Sequence, residues 1–242
     1  MVSVLPCRPT IACTAEIVPG GTVELEVGWA QRRASESPTN SALALAKVSL
    51  TDHVQLQLGT NNVVSSQGGA MDTLDGVFVG PKIVLVDQTD RAPAIAVSAL
   101  VSTPTRDGDA AVIRTTDLNL WAYASKDLPW MHADFNVGFD VLSVDDHPAL
   151  QELVALSLSR DVGHGVGAML EGYAFWNGGP YAEHDAGVLS GLTYAITPRV
   201  MFDGGFDVSL YRDSRNVTLF AGVTFVPYTS VARHVTSGVA AL

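Results

Sequence analysis

The chain has 242 residues, enough for one large domain or two small ones, and it carries 14 Lys and Arg against 25 Asp and Glu. A net charge of −11 argues against general nucleic-acid binding. Hydrophobic residues make up 47% and charged residues only 16%, with a mean hydropathy of +0.23, yet no stretch approaches the ~18 apolar residues of a membrane helix.

Hydrophobicity spread thinly through alternating segments suits a transmembrane β-barrel, in which each strand gives lipid only half its residues. A large β-sandwich or a lipocalin-like barrel is the soluble alternative. Cys7 and Cys13 stand close together ahead of the first strand pattern. Their functional readings are a small disulfide loop or a lipid-modified N-terminus. The expectation taken is that residues 1–20 are disordered or a targeting remnant. Met1–Cys13 lacks a basic region followed by a full apolar core. A barrel reading therefore expects a signal peptide upstream of Met1, or Cys7 and Cys13 within the tail of one.

The first predicted strand has Val23, Leu25, Val27 and Trp29 alternating with Thr22, Glu24, Glu26 and Gly28. Gln31–Ser41 reads as a loop. A second strand over 42–50 is less clear, because apolar residues occupy both parities. Val54, Leu56 and Leu58 then oppose Gln55 and Gln57, and Asn61–Asp75 reads as a long loop. Val77, Val79, Ile83 and Leu85 mark a fourth strand with Lys82 on the other face, and Ala92–Val101 a fifth of small residues. After a loop over Ser102–Arg114, Leu118 and Leu120 oppose Asn119 and Trp121. Phe135, Val137, Phe139 and Val141 oppose Asp134, Asn136, Gly138 and Asp140.

Ser143–Pro148 reads as a loop, Val154, Leu156 and Leu158 as the next strand. Val166, Ala168 and Leu170 oppose Met169 and Glu171, with a Gly-rich loop over Trp176–His184. The last three strands form a meander. Val188, Leu192, Tyr194 and Ile196 lead it; Phe202, Gly204 and Phe206 then oppose Asp203, Gly205 and Asp207; Val217, Leu219 and Val223 oppose Asn216, Thr218 and Thr224. That makes about twelve strands, over 21–227, with a C-terminal tail over 228–242.

The order of connections is the most informative feature. Every other junction is short, at Thr51–His53, Gln88–Arg91, Lys126–Pro129, Asp161–Gly163 and Thr197–Arg199, and those between are mostly longer and more polar. Up-and-down strands put all short turns at one end, as outer-membrane barrels do. Trp29, Trp176 and Tyr211 at one end, and Tyr123, Trp130, Tyr194 and Phe225 at the other, are placed for interfacial girdles.

Common enzyme signatures, GxSxG, P-loop, HExxH and paired CxxC, are absent. Asp145-Asp146-His147 reads as a solvated charge run rather than a metal site, and His132, His164 and His184 have no ligand spacing. The polar parity carries more. Glu24, Glu26, Gln55, Gln57, Lys82, Asn119, Asn136, Asp140, Glu171, Asp203 and Asp207 would all face one interior, either a water-filled channel or a salt-bridged plug. Lys82 with Glu171 and Asp203 would be a structural cluster, since buried charges need partners, or else a solute-selecting one. The excess of carboxylates over Lys82 predicts a preference for cations in an open lumen.

The segments "LTYAITPRVMFDGGFDVSL" and "NVTLFAGVTFVP", with "PGGTVELEVGW", "SLTDHVQLQLG", "GPK" and "HADFNVGFDV", resemble the barrel family associated with the meta-cleavage pathway of phenol degradation. The resemblance runs from about Gly21 to Pro227 and implies an outer-membrane transporter. The reading is an all-β, antiparallel, up-and-down transmembrane barrel in the bacterial outer membrane, a monomer and not an enzyme. It would pass small molecules, aromatic or hydrophobic ones among them, with membrane lipid and solute as its partners and no cofactor. A soluble lipocalin-like or β-sandwich binding protein is one alternative. A structural or adhesive barrel with a closed lumen is another.

Overall fold

In the computed structural model the described residues are 2–33, 38–66, 73–74, 77–103, 117–144, 147–177, 185–210 and 216–230. The strands are β1 (Thr22–Arg33), β2 (Pro38–Ser49), β3 (Val54–Ser66), β4 (Thr73–Leu74), β5 (Val77–Val86), β6 (Ala94–Thr103) and β7 (Asp117–Leu128). They continue as β8 (Met131–Val144), β9 (His147–Gly163), β10 (Val166–Asn177), β11 (Asp185–Thr197), β12 (Val200–Ser209) and β13 (Val217–Thr229). Each long strand pairs antiparallel with its sequence neighbours, and β1 pairs with β13 from Thr22↔Thr229 to Arg33↔Val217. That last pairing closes a twelve-stranded barrel and leaves no edge; β4 only adds two pairs to β3.

Alternation decides which side each residue takes. Phe135, Phe139, Phe202, Phe206, Val217 and Leu219 face outward, the phenylalanines 43–46% exposed, while Asn136 between two of them is fully buried. A closed barrel has only a lumen for the other parity, so polar residues are the buried ones and apolar residues the exposed ones. This inverts a soluble core. The turns at 50–53, 87–93, 129–130, 164–165 and 198–199 all lie at one end, as the connection pattern predicts.

Several boundaries differ from the sequence reading. β2 starts at Pro38 and β3 runs on to Ser66, inside the expected loops, because Thr39↔Ser66 and Asn40↔Ser65 extend their ladder beyond the apolar band. β8 and β9 likewise continue through most of 143–148 by pairing Val144↔His147. Asp145 and Asp146, His184, Tyr211 and residues 231–242 lie outside the described residues, so the proposed charge run and most of the C-terminal tail do too. β13 carries the barrel to Thr229, two residues past the expected boundary.

The larger difference is at the N-terminus. Residues 2–20, expected to be disordered or a targeting remnant, are packed inside the barrel. Val2, Val4, Ala12, Cys13, Ala15 and Val18 are all buried. Val4 N–H donates to Pro198 O, and Gly20 N–H to Asp52 Oδ1, so both legs of the segment reach the short-turn end. The tip between them rises to mid-barrel, and a disulfide joins Cys7 to Cys13 across it.

Candidate functional site

The site is the lumen and the segment that occupies it. Glu24 and Glu26, two residues apart on β1, project inward on the same face and have no solvent exposure. Two buried carboxylates need a counter-charge, and Lys47 supplies it from the facing register position of β2, paired with Glu24 and lying 2.5 Å from Glu26 Oε1. The remaining lone pairs accept main-chain donors of the N-terminal segment. Leu5 N–H reaches Glu24 at 2.7 Å, and Cys7 and Arg8 N–H reach the two oxygens of Glu26 at 3.0 Å.

The opposite wall repeats the arrangement. Glu171 on β10 accepts from Ile11 N–H at 2.8 Å and from Ala12 N–H at 2.9 Å. Ser125 Oγ on β7 accepts from Ala15 N–H at 2.6 Å. Lys82, on β5, donates to the carbonyl oxygens of Thr14 and Glu16 and lies 4.5 Å from the centre of the Tyr123 ring. Lys47 likewise donates to Leu5 O at 2.6 Å. The wall therefore holds an irregular segment by its backbone, giving buried N–H and C=O groups the partners that no ladder provides.

Arg8 runs along the inner wall past β1 and β13 toward Asp203 of β12, at 3.8 Å. Its guanidinium occupies the space in which a Cβ on Gly28 or Gly222 would stand, so these two inward glycines make the room. The expected cluster of Lys82, Glu171 and Asp203 does not form. Each of the three holds a different part of the N-terminal segment.

The other sequence candidates all lie on the inner face. Gln57 donates to Gln55, and Gln55 to Ser49. Asn119 links Ser102 to Asp140, accepting from the one and donating to the other at 2.8 Å. Asp207 accepts from Tyr173 Oη at 3.0 Å. Asn136 is buried, with neither amide atom bonded to protein. Tyr123 departs from its expected girdle position, since it points into the lumen beside Trp121 and bonds Ser98. Trp29, Trp130, Trp176 and Tyr194 are exposed.

Sequence reasoning missed Lys47 and Arg8. The signal for Lys47 was the Glu24–Glu26 pair itself, two inward carboxylates left without a cation once Lys82 was grouped with Glu171 and Asp203. Between the segment and β7–β12, at the short-turn end, lies a cavity of about 820 Å³. Its lining includes Leu5, Arg8, His132, Asp134, Met169 and Met201. Among the described residues no group of three or more His, Cys, Asp or Glu could hold a metal ion.

Comparison places this geometry among known proteins. The family described as "Putative MetA-pathway of phenol degradation" matches residues 8–226. An outer membrane channel from Pseudomonas putida F1 superposes with a TM-score of 0.63 at 14% identity, covering 91% of this chain and 100% of that one. The NanC porin gives 0.60 at 12% identity, over 83% of this chain and 98% of that one. The KdgM porin gives 0.53 at 9% identity, over 83% and 98%. At such identities the likeness is one of fold. No curated protein matches the chain by sequence.

Proposed function

The chain belongs to this family of the phenol-degradation pathway, and we propose that it is an outer-membrane channel or transporter for small molecules, aromatic or apolar ones among them. The carrying observation is a closed barrel whose wall is apolar outside and charged inside, with a cavity beside the lumen-filling segment. The short-turn end is then periplasmic and the N-terminal segment a plug entering from that side. The porin-like fold supports this reading, as does the polar lining on strand after strand. Liposomes containing the purified protein should take up small aromatic alcohols faster than empty ones. Uptake no faster than in empty liposomes would remove the transport reading, and recovery of native protein in the cytoplasm would remove the membrane one.

The plug favours a second reading, a barrel whose lumen is braced shut. Hydrogen bonds tie residues 5–16 to Glu24, Glu26, Lys47, Lys82, Ser125 and Glu171. A protein that folds correctly and passes neither ions nor solutes, with or without residues 2–20, would belong to that class.

A further inference from the structure

The cavity at the short-turn end has a chemistry that the fold alone does not require. Of the five methionines in the chain, three line it: Met131 at the rim, and Met169 and Met201 from the inward faces of β10 and β12. Thioethers are flexible and polarizable, fill irregular gaps and make favourable contacts with ring edges. With Leu5 they form an adaptable apolar surface, in a volume typical of small-molecule sites.

One polar group is held ready within it. Asp134 Oδ1 accepts from Ser125 Oγ at 2.5 Å and faces His132 Nε2 at 3.0 Å, while His132 Nδ1 lies 2.7 Å from Asp127. Both of those contacts fall on Oδ1. Oδ2 takes no bond among the described residues and is not one of the buried unsatisfied atoms, and Asp134 lines the cavity. A carboxylate fixed by one oxygen presents the other as an oriented acceptor, which asks its ligand for an O–H or N–H donor. Charge around the cavity is mixed, with Arg8, Arg160 and His132 facing Glu16, Asp127, Asp134 and Asp161. Such a surround gives a charged ligand no clear advantage and suits a neutral one.

We propose that this cavity is a binding site for small neutral hydroxylated aromatics, the ring packed on Met169, Met201 and Leu5 and the hydroxyl donated to Asp134 Oδ2. The site rests on the transport reading for its purpose but not for its existence, because binding is measurable without flux. The test uses the full chain in lipid nanodiscs, with binding followed by fluorine NMR of 4-fluorophenol, fluorobenzene and 4-fluorobenzylamine. The wild type should bind 4-fluorophenol at least about tenfold more tightly than fluorobenzene, as expected for a hydrogen bond to a charged acceptor. Asp134→Ala should erase that difference. Ser159→Trp, which fills the cavity without touching the plug anchors, should abolish binding of both. Equal binding of fluorobenzene and 4-fluorophenol, tighter binding of the amine, or full binding by Ser159→Trp would each overturn the proposal. Loss of binding with aromatic flux intact would sink this site alone; binding without flux would sink only the transport reading.

Discussion

At the residue scale the fold depends on charges that must find one another inside. Glu24, Glu26 and Lys47 are all buried, so Lys47→Met would leave two carboxylates without their cation. Breaking a buried ion pair from one side costs about 3–5 kcal/mol. We expect a loss of that size in urea unfolding of the barrel in vesicles, followed by tryptophan fluorescence. Adding Glu24→Gln and Glu26→Gln should recover most of it. No loss in the single variant would mean that the carboxylates are satisfied by the plug's N–H groups alone. The sequence displays the glutamates plainly, because β1 alternates cleanly. It hides Lys47, because β2 sets Leu43 and Leu45 on the same inward parity and small alanines outward, blurring the two faces.

At the scale of elements, strands were legible wherever lipid on one side and the lumen on the other force a period of two. Val137 and Asn119 illustrate the two faces. Val137→Arg, near the middle of the outer face of β8, should cost roughly 2–4 kcal/mol. Asn119→Lys, facing Asp140 from the inner side of β7, should cost far less, since the new cation meets a carboxylate. Equal sensitivity in guanidinium unfolding would contradict the assignment of faces. The plug was not legible for a matching reason. Residues 2–20 have no ladder and so no period, and their order comes from side chains elsewhere in the chain, from Glu26, 19 positions from Cys7, to Glu171, 160 positions from Ile11. Read alone, such a stretch looks like disorder, although its two cysteines did offer the disulfide loop as an alternative. A further expectation follows from the glycines. Gly28→Leu should expel the Arg8 guanidinium and expose residues 5–16 to added protease, with the barrel itself intact; continued protection would show that Arg8 does not fix the tip.

At the scale of the whole molecule the lumen is more mixed in charge than the sequence suggested. Glu24, Glu26, Asp140, Glu171, Asp203 and Asp207 were set against Lys82 alone, but Lys47 and Arg8 also point inward. Arg8 and Glu16 of the plug cancel in net charge, whereas Glu171 and Asp203 belong to the wall, so removing the plug leaves the charge balance unchanged and uncovers two carboxylates. Fixed charge in a confined wall concentrates counter-ions, so the emptied barrel should prefer cations more strongly than the intact one. Asp203→Asn with Glu171→Gln should then reduce that preference. The most direct measurement is single-channel conductance in planar bilayers of the full chain against the chain lacking residues 2–20, with reversal potentials in a salt gradient. We expect small or intermittent currents from the full chain, and several-fold larger, cation-preferring currents once the segment is gone. Identical conductance and selectivity from the two proteins, both shown to be folded, would contradict a lumen closed by its own N-terminal segment.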